Sequence, residues 1–357
     1  MKILYVITGL GQGGAERVVC DLADKMYQKG NEVVIAYLTG DILTCPAHEE
    51  IELIKINLHS IVTLPVAYLN LSRLIKNYKP DVLHAHMVHA NILTRLVRLT
   101  TPIKKLICTA HNSDEGGRLR MALYRLTHNL ADTTTNVSNT ATISFEEKNA
   151  VPENGMLTIY NGVNLNNFKY NSFAREEINI EFNLRSNVKI ILAVGRFSRQ
   201  KNYPNLLNAI KILKEKANLP FKLLIAGDGE LREYIEKLID GLNLKDDIIL
   251  LGRRSDIPKL MSSCDVFVLS SDHEGLPTVL IEAMACQAQV VATDVSGVRE
   301  IIDIYGEVVP PKNSESLSDA IISAINIPTK NISGAQYVKN KFDLEIISEQ
   351  WLDKYRE

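Results

Sequence analysis

The sequence predicts an α/β protein made of two Rossmann-like domains that face each other across a cleft. Short apolar, β-branched runs alternate with helical patterns along most of the chain, which is typical of parallel sheets with helical crossovers. The alternation lapses in a polar, asparagine-rich stretch at 164–187 and then resumes. In addition, 357 residues exceed what one hydrophobic core usually serves.

The elements of the two halves follow from this alternation. In the first half, the expected strands are 2–7, 32–38, 51–56, 81–85, 105–110 and 132–137, separated by helices at 14–29, 66–78, 87–99 and 117–130. In the second half, the expected strands are 188–195, 221–229, 246–252, 264–270 and 288–294. The final segment is predicted to be an amphipathic helix with Phe342, Ile346, Ile347 and Trp351 on its apolar side. We therefore predict domains at 1–166 and 167–340, followed by a helix at 341–357 that returns to the first domain.

Composition and charge give no indication of a nucleic-acid-binding, secreted or membrane-spanning protein. A net charge of −2 gives no reason to expect a nucleic-acid partner. The apolar run at 2–6 is too short for a secretory signal, and no apolar stretch approaches the length of a membrane span. The cysteines are odd in number, scattered and never in C-x-x-C spacing, so we expect reduced core residues of a cytoplasmic protein. These are Cys20, Cys45, Cys108, Cys264 and Cys286.

A glycine-rich turn, ITGLGQGGAER, follows the first strand. Gly9, Gly11 and Gly14 fit the G-x-G-x-x-G spacing of a dinucleotide-binding turn. However, the acidic residue that should follow the second strand and hold a ribose is missing, because Asp41 arrives late, after a glycine. A nicotinamide oxidoreductase therefore stays open only as an alternative.

The stretch SSDHEGLPTVLIEAMA in the second half contains two glutamates near a predicted helix start. Glu274 precedes the helix and Glu282 lies about one turn inside it, while Pro277 fits the first turn. The amides of Gly275 and Leu276 are at the positive end of the helix dipole, which favours an anion. Since carboxylates accept hydrogen bonds from sugar hydroxyls, the combination indicates a nucleotide sugar. The alternative is that the acidic residues merely complement the dipole.

Cations occur at a second strand-to-helix turn, VGRFSRQKN. Arg196, Arg199 and Lys201 follow the first strand of the same half, where cations at a sheet edge can bind a diphosphate. Taken singly, each would be a solvated surface charge. Together with the glutamates and the AGDGE turn at 226–230, they favour a binding site.

These motifs carry a family resemblance. In this order, GRFSRQKN, AGDGEL, EGLPTVLIEAMA and GVRE resemble the C-terminal domain of retaining glycosyltransferases of family four, which have the GT-B fold. Glu274 and Glu282 show the family signature of two glutamates separated by seven residues. The motifs GGAER, DVLHAH, TAHN and IYNGVN resemble the branch that builds bacterial O-antigen, capsule and exopolysaccharide. The resemblance covers nearly the whole chain.

The resemblance implies roles for individual residues. Arg196 and Lys201 would hold the donor diphosphate and stabilise its leaving charge. Glu282 would bind the ribose, Glu274 would contact the hexose, and His111 would face the donor sugar. The further substrate-binding positions that it implies are Gly13, Gly14, Asn161, Gly195, Gly227, Gly275, Leu276, Pro277 and Thr278. In the turn LGRRSD after the third strand of the second half, Arg253 or Arg254 is a candidate to contact the base, the alternative being that both are solvated surface charges.

The resemblance also implies partners. The donor would be a nucleoside-diphosphate sugar, with UDP as the best guess, and the acceptor a saccharide or a polyprenyl-diphosphate-linked saccharide. No cofactor is expected, and no divalent metal either, because the chain has no D-x-D motif and its cations can neutralise a diphosphate. A UDP-N-acetylhexosamine epimerase of the same fold and a non-catalytic nucleotide-sugar binding module are the alternatives.

Three further features lead to expectations. After EAMAC the family usually has a glycine, where this chain has Gln287 in a position that favours the left-handed conformation. His84, His86 and His89 can be interpreted as zinc ligands or, with the family, as residues at a cleft-facing strand end.

A basic, apolar stretch predicts peripheral contact with the cytoplasmic face of the inner membrane, the alternative being a core-packed helix with a solvated face. Its basic residues are Arg95, Arg98, Lys104, Lys105, Arg118, Arg120 and Arg125.

Overall fold

The computed structural model describes residues 1–11, 13–217 and 219–357. They form two compact units, which we call the N-terminal unit (Met1–Asn164 with Phe342–Glu357) and the C-terminal unit (Leu165–Lys341). Each unit contains one sheet in which all the paired strands are parallel. The predicted fold class, two Rossmann-like α/β halves, is confirmed.

The N-terminal unit is built on a seven-stranded sheet. Its strands are β1 (Lys2–Ile7), β2 (Glu32–Tyr37), β3 (Glu52–Lys55), β4 (Val82–His86), β5 (Leu106–Ala110), β6 (Thr133–Asn136) and β7 (Leu157–Thr158). Its helices are α1 (Gly14–Gln28), α2 (Leu64–Tyr78), α3 (Val88–Val97), α4 (Arg118–Thr127) and α5 (Asn139–Glu147), joined by the terminal helix (Leu344–Arg356). The strand order is β3-β2-β1-β4-β5-β6-β7.

Both faces of this sheet are buried. Alternate residues of β1 point to opposite sides, so Tyr5 packs with α1 and the terminal helix, whereas Leu4 packs with α2 and α3. Trp351 and Tyr355 of the terminal helix belong to the first of these cores. The chain therefore returns to the N-terminal unit after completing the C-terminal one.

The C-terminal unit is built on a six-stranded sheet. Its strands are β8 (Lys189–Val194), β9 (Phe221–Ala226), β10 (Ile248–Gly252), β11 (Val266–Leu269), β12 (Gln289–Thr293) and β13 (Glu307–Val309). Its helices are α6 (Ala174–Glu181), α7 (Tyr203–Lys216), α8 (Arg232–Gly241), α9 (Ile257–Ser263), α10 (Thr278–Ala285), α11 (Val298–Ile302), α12 (Ser314–Ile325) and α13 (Ile332–Phe342). The strand order is β10-β9-β8-β11-β12-β13.

Some elements differ from the sequence expectation. β7 and β13 were not predicted, because two or three residues give no readable alternation. α6 lies inside the polar stretch at 164–187, where Ala174 and Ile178 are its buried residues. Two single-residue expectations are wrong: Cys45 is exposed in the loop after β2, and Ile346 faces outward beside the buried Ile347.

Strand order fixes where a ligand site can form. In each sheet the order reverses next to the first strand, at β1/β4 in the N-terminal unit and at β8/β11 in the C-terminal unit. The crossovers on either side of such a switch point leave in opposite directions, which opens a crevice at the carboxyl ends of the two strands. The loops after β8 and β11 carry VGRFSRQKN and SSDHEGLP, so the topology brings these two motifs to one switch point.

The helix end that departs from the family pattern keeps the geometry of a glycine cap. Gln287 follows α10 with a φ of +62°. Its amide donates to the Met284 carbonyl at 2.9 Å, and the amide of Ala288 donates to the Ala283 carbonyl at 3.1 Å. This pair of bonds is the Schellman motif, in which glycine is favoured because it has no Cβ.

We predict that Gln287→Gly stabilises the C-terminal unit. Relief of the left-handed strain exceeds the extra chain entropy of glycine, so the free energy of unfolding should rise by about 0.5–1 kcal/mol. Urea denaturation measures this change. Gln289→Gly is the matched control, since Gln289 begins β12 and its loss should destabilise the protein. A neutral or destabilising Gln287→Gly would show that the cap is not strained.

Candidate functional site

A buried ion pair lies at the switch point of the C-terminal unit. Lys201 Nζ donates to Glu274 Oε1 at 2.7 Å, and their side chains are 21% and 10% exposed. The Ser271 hydroxyl donates to the same carboxylate oxygen at 2.7 Å. The structure thus brings together two residues that the sequence analysis selected from motifs 73 positions apart. An ammonium and a carboxylate side by side can bind a ligand that carries both anionic and hydroxyl groups.

The loops after β8 and β11 are tied to each other around this pair. The Ser270 hydroxyl donates to the Lys201 carbonyl at 2.9 Å, and the Asp272 amide donates to the Gln200 carbonyl at 2.8 Å. The Asn202 side chain caps α7 and also donates to Asp272 Oδ1 at 2.7 Å. These contacts hold the ion pair in place before any ligand arrives, which limits the reorganisation that binding requires.

The AGDGE turn after β9 packs closely against the loop after β8. Gly227 has a φ of +150°, and a Cβ built on it would overlap the Gly195 carbonyl oxygen. The Gly195 amide donates to the Ala226 carbonyl at 3.0 Å, while the Gly227 amide donates to the Gly252 carbonyl at 2.8 Å. Gly195 and Gly227 therefore meet backbone to backbone, and the glycines let the strand ends approach closely.

The arginines predicted for the site differ in their contacts. Arg196 is exposed, and its Nε donates to Glu230 Oε2 at 3.2 Å. Arg253 is also exposed, whereas Arg254 is held by Glu181 and Asp256 at 2.6 and 2.7 Å. The Arg254 guanidinium lowers the pKa of Asp256 to about 2. Arg253 is therefore the one of this pair whose guanidinium stays at the surface.

α10 starts next to the ion pair. Pro277 precedes the helix as its N-cap residue, with φ −74° and ψ 90°, one position earlier than predicted. Gly275, Leu276 and Pro277 are buried, so the end of the loop after β11 is packed inside the C-terminal unit. Thr278 and Glu282 are four residues apart, on one side of α10, and both are half-buried. The helix N-terminus adds a positive partial charge to the same corner.

A second cluster, made of histidines, lies at the strand ends of the N-terminal unit. His86 Nδ1 and His111 Nε2 are 3.0 Å apart, and both rings are buried. Among the residues that the structure describes, His86 Nε2 and His111 Nδ1 are buried and have no hydrogen-bond partner. Burial lowers the pKa of His111 to about 4, so the ring is neutral at pH 7. An unsatisfied nitrogen is rare for a buried polar group, which marks this cluster as unusual.

His84 does not lie at an open strand end, which corrects the expectation for it. Its ring is completely buried, and its two nitrogens bond the Tyr355 hydroxyl and Thr109 Oγ1, each at 2.7 Å. The ring also packs against Trp351 with centroids 4.4 Å apart. Its role is to anchor the terminal helix. In residues 1–11, 13–217 and 219–357, no group of three His, Cys, Asp or Glu side chains is arranged to hold a metal ion.

Sequence reasoning missed Glu115, which supports the histidine cluster. Its Oε1 accepts from the His111 amide and its Oε2 from the Val88 amide, both at 3.0 Å. The side chain is 7% exposed, and burial raises the pKa of its carboxyl group. Glu115 thereby links the loop after β5 to the start of α3. The loop sequence SDEGG shows an acid beside glycines but gives no sign of the contact with the distant Val88.

The other predicted residues of the N-terminal unit have separate positions. Gly13 is the N-cap of α1, and both it and Gly14 are exposed. Asn161 is buried beside Gly162, whose added Cβ would lie 2.9 Å from Leu344 Cα. The IYNGVN motif therefore has a packing role, because it lets the terminal helix approach.

The basic, apolar stretch is only partly a surface, which corrects the expectation for Arg95. Arg95 is completely buried and donates to the Tyr124 carbonyl at 3.3 Å, to Thr127 Oγ1 at 3.2 Å and to Thr134 Oγ1 at 2.9 Å. Its guanidinium also lies over the Tyr124 ring at 5.2 Å. Arg95 is thus a core residue whose charge is solvated by main-chain and hydroxyl oxygens.

The remaining cations of the stretch fall into two groups. Arg98 pairs with Asp132 and Lys104 with Asp81, at 2.8 and 2.6 Å. Lys105 donates to the Lys354 carbonyl of the terminal helix. On α4, in contrast, Arg118 and Arg125 are exposed. Within the part of the chain that the structure describes, no helix has both the length and the apolarity that crossing a bilayer requires.

Comparison with known proteins agrees with two Rossmann-like units of the GT-B fold. The family described as Glycosyltransferase Family 4 matches residues 12–167, and Glycosyl transferases group 1 matches residues 174–341. The chain is 31% identical to an uncharacterized glycosyltransferase of Methanocaldococcus jannaschii over 303 residues, 80% of this chain and 79% of that protein. The chain belongs to glycosyltransferase family 4, and its activity is that of a glycosyltransferase.

Two further proteins extend the comparison. The N-acetylgalactosamine-N,N'-diacetylbacillosaminyl-diphospho-undecaprenol 4-alpha-N-acetylgalactosaminyltransferase of Campylobacter jejuni is 28% identical over 333 residues, 88% of each chain. Anabaena HepE, crystallised with UDP and glucose, superimposes with a TM-score of 0.83 at 20% identity, covering 99% of each chain. The second likeness shows that the two proteins share a fold.

Proposed function

We propose that the chain is a retaining glycosyltransferase that moves a hexose or N-acetylhexosamine from a UDP-sugar to a glycan or lipid-linked saccharide during surface polysaccharide synthesis. One observation carries the proposal: Lys201 and Glu274 are paired at 2.7 Å at the β8/β11 switch point, next to the N-terminus of α10. A diphosphate needs the cation and the helix amides, and a sugar needs the carboxylate.

Each side chain then has a defined task. Lys201 and Arg196 bind the donor diphosphate and stabilise the charge that develops on it as it leaves. Glu274 accepts a hydrogen bond from a hexose hydroxyl, while Glu282 accepts from the ribose hydroxyls. Both hydrogen bonds of the Glu274 carboxylate within the described residues go to Oε1, so Oε2 is the oxygen offered to the sugar. His111 faces the donor sugar.

The proposed reaction is a single substitution at the anomeric carbon with retention. The bond from C1 to the diphosphate oxygen breaks, and its electron pair stays with the departing UDP. The acceptor oxygen forms the new bond to C1 on the same face, and its proton passes to an oxygen of the departing phosphate. No protein side chain forms a covalent bond, which fits a site in which Glu274 is already engaged by Lys201 and Ser271.

The nature of the substrates is supported by the relatives. HepE was crystallised with UDP and glucose, and the name of the Campylobacter enzyme describes a diphospho-undecaprenol acceptor. We assign the donor to the C-terminal unit and the acceptor to the N-terminal unit, where Gly13 and Gly14 offer exposed amides at the start of α1. The proposal includes peripheral contact of α4 with the cytoplasmic face of the membrane, through Arg118 and Arg125.

A panel of nucleotides tests the donor assignment. At about one hundred times its dissociation constant, UDP should raise the free energy of unfolding by about 2.7 kcal/mol, and NAD should leave it unchanged. Thermal unfolding of the intact chain measures both. Glu282→Gln should reduce the UDP effect, whereas Glu233→Gln, an exposed position on α8, should preserve it.

The same panel separates the alternatives. Stabilisation by NAD and not by UDP would indicate an oxidoreductase. Conversion of a UDP-N-acetylhexosamine into its epimer without any acceptor would indicate an epimerase. UDP binding with no transfer to any acceptor would indicate a binding module.

A further inference from the structure

The N-terminal unit contains an apolar cavity of about 520 Å³ that no residue of the proposed donor site lines. It lies beyond the carboxyl ends of β1 and β2, between the start of α2 and the helices α3 and α4. Its apolar lining includes Leu38, Leu58, Leu64, Ile92, Leu96 and Leu123. A cavity of this volume with a mainly apolar lining has the properties of a ligand site.

Polar side chains are a minority of the lining and several of them are engaged, whereas Thr8 Oγ1 is buried without a hydrogen-bond partner within residues 1–11, 13–217 and 219–357. His59 Nδ1 bonds Thr39 Oγ1 at 3.2 Å, and Ser60 forms a reciprocal cap with Thr63. A saccharide would need many hydrogen-bonding partners, and this lining has few to give. The cavity is therefore suited to a hydrocarbon and not to a sugar.

Exposed apolar side chains mark the mouth of the cavity. Ile61 and Leu119 line the cavity and are nevertheless 87% and 76% exposed. Two large hydrophobic groups left in water at one opening are typical of a binding surface. A long apolar chain entering here would cover both of them.

α4 brings one positive charge to the cavity. Its sequence, RLRMALYRLT, has three arginines and no acidic residue. Arg120 lies in the first turn, close to the buried Glu115 carboxylate, whereas Arg118 lines a second pocket together with Asp114 and Arg125. Arg120 also lines the cavity and donates to the Glu115 carbonyl at 3.1 Å.

We propose that the apolar cavity binds the hydrocarbon chain of a lipid diphosphate, while Arg120 at its lining contacts the phosphate groups. The proposal rests on the proposed function and deepens it, because it assigns the lipid part of the acceptor to a place in the fold. The acceptor bound by the N-terminal unit would then be both strongly apolar and anionic.

Calorimetric titration of the full chain with geranylgeranyl diphosphate tests this assignment. The wild type should bind it saturably, and inorganic pyrophosphate at least tenfold more weakly. The variant Ile61→Asn/Leu119→Asn should raise the dissociation constant for geranylgeranyl diphosphate at least tenfold. Val62→Asn/Leu126→Asn is the matched control, because these residues are 86% and 80% exposed and do not line the cavity. Val62 directly follows Ile61, and Leu126 lies on α4 with Leu119. This control should change the constant less than twofold.

Each outcome has a defined meaning. An equal loss in both double variants would show adsorption to an apolar surface and overturn the assignment. Equal affinity for pyrophosphate and for the lipid would show that the chain is not recognised. The UDP effect on thermal unfolding is measured in parallel: if UDP stabilises the protein but the lipid does not bind, the cavity assignment alone fails. Lipid binding without a UDP effect would mean that the proposed donor fails instead.

Discussion

Replacement of Lys201 by methionine is expected to lower the rate of sugar transfer by about 10²–10³-fold. The Ser270 hydroxyl donates to the Lys201 carbonyl and so helps to position the Lys201 ammonium at the β8/β11 switch point, where in the proposed reaction it would meet the departing diphosphate without rearrangement. A positioned cation acts where negative charge develops, and its loss is felt mainly in the transition state. Steady-state kinetics with a UDP-sugar and a saccharide acceptor measures the effect, which should fall on kcat.

The ion pair makes a second variant necessary. Removing Lys201 leaves the Glu274 carboxylate buried, with the Ser271 hydroxyl as its remaining hydrogen-bond donor among the described residues. This should lower the free energy of unfolding by about 1–3 kcal/mol. Lys201→Met/Glu274→Gln removes that charge and should recover most of the stability, but none of the activity.

An exposed lysine of α7 provides the control for this pair of variants. Lys211→Met should leave both the rate and the stability unchanged. Near-normal transfer by Lys201→Met, with the fold intact, would remove the lysine from the mechanism.

Gly227→Ala is expected to lower the free energy of unfolding by about 2 kcal/mol or more and to abolish the stabilisation by UDP. The added Cβ would overlap the Gly195 carbonyl oxygen, and a φ of +150° is strained for any L side chain. The turn after β9 and the loop after β8 must then separate, which displaces Gly195 and with it Arg196. Urea denaturation and UDP-dependent thermal shifts measure the two effects.

Gly241→Ala is the control that shows whether the loss of stability and of UDP binding is specific to Gly227. Gly241 ends α8, and a Cβ built on it meets nothing within 4 Å. Gly241→Ala should therefore stabilise the protein by about 0.5–1 kcal/mol and leave UDP binding unchanged. If Gly227→Ala were equally harmless, the close approach of the two loops would have no part in the site.

The motifs of the C-terminal unit were readable because their chemistry is local. A strand, a short polar loop and a helix start follow each other within a few residues, and each has a sequence signature. Glu274, Glu282 and Lys201 could thus be selected from residue type and spacing. What the motifs did not reveal is that Lys201 and Glu274 contact each other, since strand order decides which loops become neighbours.

Residues whose role depends on distant partners were missed or misassigned. Arg95 has the sequence context of a surface cation, yet it is buried because Thr127 and Thr134 supply oxygens. Glu115 stands in a glycine-rich loop and is given its function by the amides of Val88 and His111. In each case at least one partner comes from another element, Thr127 and Thr134 for Arg95 and Val88 for Glu115, and hydrophobic periodicity carries no information about such partners.

The sequence by itself determined the two α/β halves, the family and the residue types at the charged turns, because alternating periodicity and short loop motifs are encoded within contiguous segments. Only the tertiary structure decided which charged loops meet at β8/β11, which cations are buried, and that α2, α3 and α4 enclose the apolar cavity. The physical reason is that these features arise from packing between elements far apart in the chain. Such packing depends on strand order and helix orientation, which are properties of the folded molecule as a whole.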